Sequence, residues 1–339
     1  LYELLPVPFG WGGPFSIYES VVCLEKSLEK PDSGRMPLVT ALQARINCMK
    51  HFPHPGIFYR YIISPERSDE KMAEVIAVVN QKGGVGKTTT VACLGISLAA
   101  RGRKVLLVDL DAQGSLGICL GYDYPEKYPV TMVELLAESV AGELDEEKAE
   151  EAVLPYGENV DCILSHRGLT TLEFALLKAE APSHKLAQVL SRYQNRYDYI
   201  LLDGPPMFGL LTMNMLCAAD WVLVPVQAEY LAAKGLEQML RSISGIMKTE
   251  NPSLRILGIL PSMVNDRTRD ARDVFKLLED TYGNSIRILP AIPFSVRAKE
   301  ISSRGKTIYQ VDKGGKVTGA YERLVDIVLE SCGKEAPDV

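Results

Sequence analysis

The chain has 339 residues, 47% of them hydrophobic and 24% charged, with a net charge of −6 at neutral pH. That composition is globular and suits one large α/β domain or two smaller ones; the acidic balance argues against wholesale coating of nucleic acid but leaves room for a local basic patch. Seven scattered cysteines without a C-x-x-C pair argue against a disulfide framework and for a reducing cytoplasm, and neither a signal peptide nor an apolar run of about 18 residues, as a membrane helix needs, is visible.

Residues 1–71 differ in character from the rest. They are dense in proline and aromatics, including Pro6, Phe9, Trp11, Phe52, Pro53 and Tyr59, and show no sustained helical or strand period. Cys48, His51 and His54 have a loosely metal-like spacing, but a fourth ligand is missing. Met72 follows a run, 66–71, that purine-rich codons of a ribosome-binding kind can encode. The expectation is therefore that residues 1–71 are an upstream or disordered extension and that a single folded domain spans 72–331, with a short polar tail at 332–339. A genuine arm binding DNA or a partner is the alternative, and no helix-turn-helix signature supports it.

The most informative stretch comes next. A predicted strand at 75–79 runs into Asn80-Gln81-Lys82-Gly83-Gly84-Val85-Gly86-Lys87-Thr88-Thr89, and a helix is predicted over 88–101. Gly83, Gly84 and Gly86 let the backbone curl so that successive N–H groups face one anion, and the helix start adds its free N–H groups and positive dipole end. Lys87 supplies a charge for the β- and γ-phosphates, and the Thr88 hydroxyl is placed to ligate Mg²⁺. The common G-x-x-x-x-G-K-[ST] pattern needs glycine at position 81; Gln81 stands there, followed by Lys82, which makes this the deviant loop with a second lysine.

Beyond the loop, helix 88–101 carries Val91, Leu94, Ile96 and Leu98 toward a core and stops at Gly102. A strand at 104–108 ends in Asp109-Leu110-Asp111, placing two carboxylates at the carboxyl end of a strand beside the loop, where open α/β sheets bind ligands. Two short helices follow over 131–153, the second an acidic, solvated face. A strand at 160–164, helices over 169–193 broken near Pro182, and a buried strand at 199–202 come next. The last of these ends in Asp203, the Walker B arrangement of a carboxylate that holds Mg²⁺. Strands at 221–226, 255–260 and 286–289 alternate with helices at 233–249, 270–281, 296–304 and 316–330. This alternation predicts one doubly wound, mostly parallel sheet with helices on both faces, of P-loop type.

Taken together, the 80–90 segment, Asp109-Leu110-Asp111-Ala112-Gln113-Gly114, the run 197–203, Pro225-Val226-Gln227 and Gly235-Leu236-Glu237 resemble the ParA/Soj branch of the deviant-Walker ATPases, relatives of MinD. The resemblance implies ATP and Mg²⁺ as cofactors, Val85 and Thr89 as further loop contacts, and adenine-side contacts at Asn265 and Pro293. It implies that Lys82 reaches the nucleotide of a partner copy in an ATP-bound homodimer. Asp111 would orient the attacking water, and Asp109 would lie with Thr88 and Asp203 around the metal. It further implies non-specific DNA binding by the dimer, expected at Arg241, Arg267, Arg269 and Arg272, a ParB-like activator, partition of DNA cargo and a cytoplasmic, nucleoid-associated protein. The alternative is a MinD-like regulator at the membrane. An acidic C-terminal segment, with Glu322, Asp326 and Glu330, argues against that reading and for no stable membrane anchor. Departures from the family pattern are Gly204, where cysteine is common, the run Pro293-Phe294-Ser295-Val296-Arg297, and the run Lys299-Glu300-Ile301-Ser302-Ser303-Arg304-Gly305-Lys306.

Overall fold

Residues 74–78 read Glu-Val-Ile-Ala-Val, and all but the first are sealed from solvent. A strand this apolar on both sides is stable only in the middle of a sheet covered on both faces. In a computed structural model of the chain, which describes residues 72–227, 232–265, 269–295 and 307–332, it takes that place. The expected extension at 1–71, the helix expected at 296–304 and all of the polar tail but Cys332 lie outside the described residues.

The strands are β1 (Glu74–Val78), β2 (Val105–Asp109), β3 (Leu154–Pro155), β4 (Val160–Ile163), β5 (Tyr199–Asp203), β6 (Trp221–Gln227) and β7 (Arg255–Ser262). They form one sheet in the order β3-β4-β2-β5-β1-β6-β7, parallel throughout except for the β3–β4 pair at the edge. The described helices are α1 (Lys87–Ala99), α2 (Ser115–Cys119), α3 (Met132–Ala141), α4 (Glu146–Glu151), α5 (Gly168–Leu176), α6 (Lys185–Leu190), α7 (Leu210–Ala218), α8 (Ala232–Thr249), α9 (Arg269–Tyr282), α10 (Ile308–Val311) and α11 (Lys316–Ser331). The predicted P-loop architecture is the one observed.

Alternation along β1 divides the core. Val75 and Ala77 face a cluster shared with α3, α5, α6, α7 and α8, whereas Ile76 and Val78 face one shared with α1, α2 and α11. β5 lies between β1 and β2, so the connection through α1 steps over it, while the chain leaving β5 crosses to β6 on the other side of β1. The carboxyl ends of β1, β2 and β5 therefore open next to a topological switch point, where an open α/β sheet leaves room for a ligand.

Several local expectations change. Ile96 is only half-buried, because it lies about 200° around the helix from Leu94, off the buried line of Val91, Leu94 and Leu98. The acidic helix α4 is more than a solvated face: Glu146 pairs with Arg192 and Glu150 with Arg196, two rungs one turn apart. The run 286–289 makes an interrupted parallel edge along β7, through Ile259 N to Arg287 O and Leu289 N to Ile259 O, rather than a regular strand. Pro290 and Pro293 have no N–H to continue a ladder.

Candidate active site

The glycine-rich loop leaves β1 and closes on α1, with Gly84 at φ 74° and Gly86 at φ 89°, both in the left-handed region that an L side chain avoids. Its shape is held from outside. Ser262 Oγ at the end of β7 donates to Val85 O at 2.7 Å, and Gln227 Nε2 at the end of β6 donates to Gly84 O at 3.1 Å. Asn80 braces the entrance: its Nδ2 donates to Pro225 O at 2.6 Å while its Oδ1 accepts from Lys82 N at 2.9 Å.

The two lysines of the loop stand in different surroundings. Lys87, the first residue of α1, is 6% exposed, and its Nζ donates to Lys82 O at 3.3 Å. Burial lowers its pKa, and the nearby Asp203 and Asp111 work against that shift. Lys82 is exposed, and its Nζ donates to Gln227 Oε1 at 2.9 Å.

Three aspartates meet these groups in three different ways. Asp109 and Asp203 are register partners on β2 and β5, and both are fully buried. The carboxylate of Asp109 is committed to backbone: Oδ1 accepts from Asp111 N at 3.0 Å, and Oδ2 from Leu116 N at 3.0 Å and Gly117 N at 3.4 Å. It caps the turn into α2. Three N–H donors thus meet the two oxygens of a residue expected in the metal's surroundings. Burial, then the neighbouring Asp203, push its pKa well above the carboxylate range.

Asp203 is the opposite case. Both oxygens are buried and accept no well-formed hydrogen bond. Burial pushes its pKa up to about 7, with the Thr88 hydroxyl and the Lys87 ammonium pulling it down and Asp111 pushing it up. A sealed carboxylate without backbone donors, beside a hydroxyl, is oxygen chemistry suited to a hard divalent cation, and Mg²⁺ is the one that fits few protein ligands. Asp111 lies half-buried beyond the strand end, where its Oδ1 accepts from Gln113 N at 3.0 Å. The structure thus brings Gly83, Gly84, Val85, Gly86, Lys87, Thr88, Asp111 and Asp203 to the carboxyl edge of three adjacent strands.

Beside the loop is a cavity of ≈190 Å³ lined by Gly86, Thr89, Met263, Pro293, Phe294 and Tyr321, among others. It is largely apolar, and the expected contacts Thr89 and Pro293 are among its lining residues. Asn265 follows Val264, which pairs with Pro293, but it is exposed and is not one of the lining residues. Sequence reasoning gave Ser262 and Tyr321 no place in the site, and named Gln227 and Phe294 only within the runs 225–227 and 293–297. The available signal for Ser262 was position alone, since it ends a strand at the ligand-binding edge, whereas Gln227 also closes the Pro225-Val226-Gln227 run of the family resemblance. Of the basic residues expected to meet DNA, Arg241 is on α8 with its side chain 78% exposed and paired with Glu237 one turn earlier. Arg267 lies outside the described residues, and Arg269 and Arg272 belong to α9 with side chains outside the description.

A family profile described as an AAA domain matches residues 73–256. The chain is similar to the sporulation initiation inhibitor protein Soj of Bacillus subtilis, 36% identical over 250 residues that cover 74% of this chain and 96% of Soj. It is similar to the chromosome partitioning protein ParA of Caulobacter vibrioides, 34% identical over 257 residues that cover 75% of this chain and 93% of ParA. Among solved structures it resembles one described as cobyrinic acid a,c-diamide synthase from Mycobacterium smegmatis with bound ATP analogue and magnesium. There the TM-score is 0.66 at 35% identity, covering 79% of this chain and 99% of that one. Among the described residues no helix is long and apolar enough to cross a membrane.

Proposed function

The chain belongs to the ParA/Soj family of P-loop ATPases, and on that premise we propose that it hydrolyses ATP with Mg²⁺ as a switch that pairs two copies, binds DNA in the ATP form and moves a DNA cargo. The observation that carries the catalytic part is Asp203: a fully buried carboxylate with no well-formed hydrogen bond to either oxygen, one strand from a phosphate loop. Thr88 and Asp203 are the residues that would hold Mg²⁺, which supplies charge neutralisation on the phosphates.

The loop N–H groups and Lys87 bind and orient the phosphates. Asp111, anchored through Gln113 N, holds the attacking water and accepts its proton. Asp109 fixes the loop that carries Asp111 through Asp111 N. Lys82 serves the second copy's nucleotide, and to do so its ammonium leaves Gln227. A ParB-like partner would stimulate turnover. The DNA reading is favoured over membrane attachment by α11, whose apolar residues Val317, Tyr321, Leu324 and Val328 are already buried against α1 and unavailable to lipid.

The test separates binding from turnover. Lys87→Ala is expected to lose ATP binding in a nucleotide titration. Asp111→Ala is expected to bind ATP within a fewfold of the parent and to accumulate as a dimer with no phosphate release. Phosphate release at the parent rate from Asp111→Ala would remove Asp111 from the mechanism.

A further inference from the structure

At the sheet edge opposite the phosphate loop, where α7 and α8 hand the chain back to β6 and β7, three metal-ligating side chains converge. His184 precedes α6, Cys217 is the penultimate residue of α7 and Glu250 follows α8. One ligand atom from each lies within 4.8 Å of the others, and His184 Nε2 is 4.0 Å from Glu250 Oε2. His184 is 1% exposed, whereas Cys217 and Glu250 are half-buried, so solvent reaches the cluster from one side.

Two features give this cluster more order than chance proximity. Ser183 Oγ lies 3.1 Å from His184 Nδ1 and donates to Glu250 Oε2 at 3.3 Å. A serine has one hydroxyl proton; given to the carboxylate, it leaves Ser183 to accept from Nδ1–H, which puts the imidazole lone pair on Nε2, the nitrogen facing Glu250. A metal-bound histidine has this arrangement, with its outer N–H held by a second group and its lone pair turned inward. Separately, Asn251 Nδ2 donates to Leu216 O at 2.9 Å, Cys217 O at 3.3 Å and Ala219 O at 2.8 Å. That tie fixes the end of α7 against the residue next to Glu250, so Cys217 and Glu250 face each other whatever lies between them.

We propose that His184, Cys217 and Glu250 form a binding site for a zinc-class divalent cation, distinct from the nucleotide's metal, that pins the start of α6 and the ends of α7 and α8 together. A tetrahedral zinc with nitrogen at about 2.0–2.1 Å and sulfur at about 2.3 Å spaces its ligand atoms by roughly 3.3–3.8 Å, so the observed cluster closes on the ion by about an ångström of side-chain rotation. Thiolate with imidazole selects zinc over Mg²⁺, which takes oxygen ligands. On binding, the Cys217 S–H bond breaks, a sulfur–metal bond forms and the proton leaves to solvent; a water completes the four ligands. Without a cation, burial and the Glu250 carboxylate push the Cys217 thiol up to about 12, and a positive ion between them removes that repulsion.

The experiment uses the full-length untagged chain, stripped of metal and free of nucleotide. Titration with Co²⁺ is expected to give a thiolate-to-cobalt absorption band that Zn²⁺ then bleaches. Cys217→Ser abolishes the band, Cys48→Ser leaves it, and Glu250→Gln and Ser183→Ala each weaken Zn²⁺ affinity about tenfold or more. Zn²⁺, but not Mg²⁺, raises the melting temperature of the parent and of Cys48→Ser only. No band in the parent, a band that survives Cys217→Ser, or a Zn²⁺ affinity unchanged in both Cys217→Ser and Glu250→Gln overturns the proposal.

Discussion

Asp203 carries an energetic cost in the nucleotide-free protein, and the sign of that cost is testable. Its pKa rises from an ordinary carboxylate value to about 7 on folding, mainly through burial. The folded state therefore binds the proton more tightly than the unfolded chain, and stability falls as pH rises from about 4 to about 7 before levelling. Asp109 shifts in the same direction and adds to the slope. Asp203→Asn is expected to flatten the curve and to leave the nucleotide-free protein more stable at pH 8 by more than about 1 kcal/mol. The same substitution is expected to abolish the proposed ATP hydrolysis in a phosphate-release assay. Urea midpoints at pH 5, 6, 7 and 8 check it; an unchanged slope would mean that Asp203 is not held near neutrality. Lys87, Thr88, Asp111 and Asp203 were legible in the sequence because loop spacing and strand-end position name them. The role of Asp109 was not legible, since its partners are backbone N–H groups of a five-residue helix that no pattern announces. At Gly204, a departure from the family pattern, a Cβ would meet Met215 Cε and Sδ at 2.9 Å, the movable end of a flexible side chain.

At the scale of elements, β1, β2, β5 and β6 were readable as continuous apolar runs with a polar stop. Helix α7 was not, because Leu-Leu-Thr-Met-Asn-Met-Leu-Cys-Ala is apolar around most of its circumference and shows no helical period. It is buried between the sheet and its neighbours, and Asn214 satisfies itself by accepting from Leu186 N and donating to Pro182 O and Leu210 O. The edge beside β7 was misread as a strand for a related reason: Gly258 lets Arg287 O come within 2.7 Å of where a Cβ would stand, a close approach that propensity does not reveal. The packing of α1 on α11 gives an element-scale prediction. Tyr321 is 2% exposed, with its hydroxyl 3.4 Å from Thr90 Oγ1. Tyr321→Ala opens a cavity between the helices and is expected to lower unfolding free energy by about 3–5 kcal/mol, whereas Tyr321→Phe costs about 0.5–1.5 kcal/mol. Denaturant melts of the two variants check the ratio; similar losses for both would place the energy in the hydroxyl interaction instead of the packing.

For the whole molecule, the proposed contact with DNA has to be made by a chain of net charge −6. Among the described basic residues of 241–276, Arg241 is exposed but paired with Glu237, and Lys248, Arg255 and Lys276 are exposed. A single copy is therefore expected to bind DNA weakly, and two copies, presenting the patch twice along one duplex, more tightly. Removing one cationic side chain from a phosphate lowers the log–log salt slope by about one. In the ATP-trapped Asp111→Ala protein, Arg241→Ala together with Arg269→Ala is expected to weaken DNA binding and flatten that slope in titrations at several salt concentrations. Unchanged affinity would move the surface elsewhere, and equal binding with ADP and ATP would dissociate DNA affinity from the switch.

The loop, Asp111 and Asp203 leave three adjacent central strands, β1, β2 and β5, rather than a peripheral lid. Amides in such strands exchange with solvent only when the whole domain opens. A ligand held there is linked to complete unfolding and not to a local fluctuation. Nucleotide at a hundred times its dissociation constant should then slow exchange in β1, β2 and β5 by the full mass-action factor, about 2.7 kcal/mol. Amides along the β3–β4 edge, which carries none of the site residues, should keep their ligand-free rates wherever they open by smaller excursions.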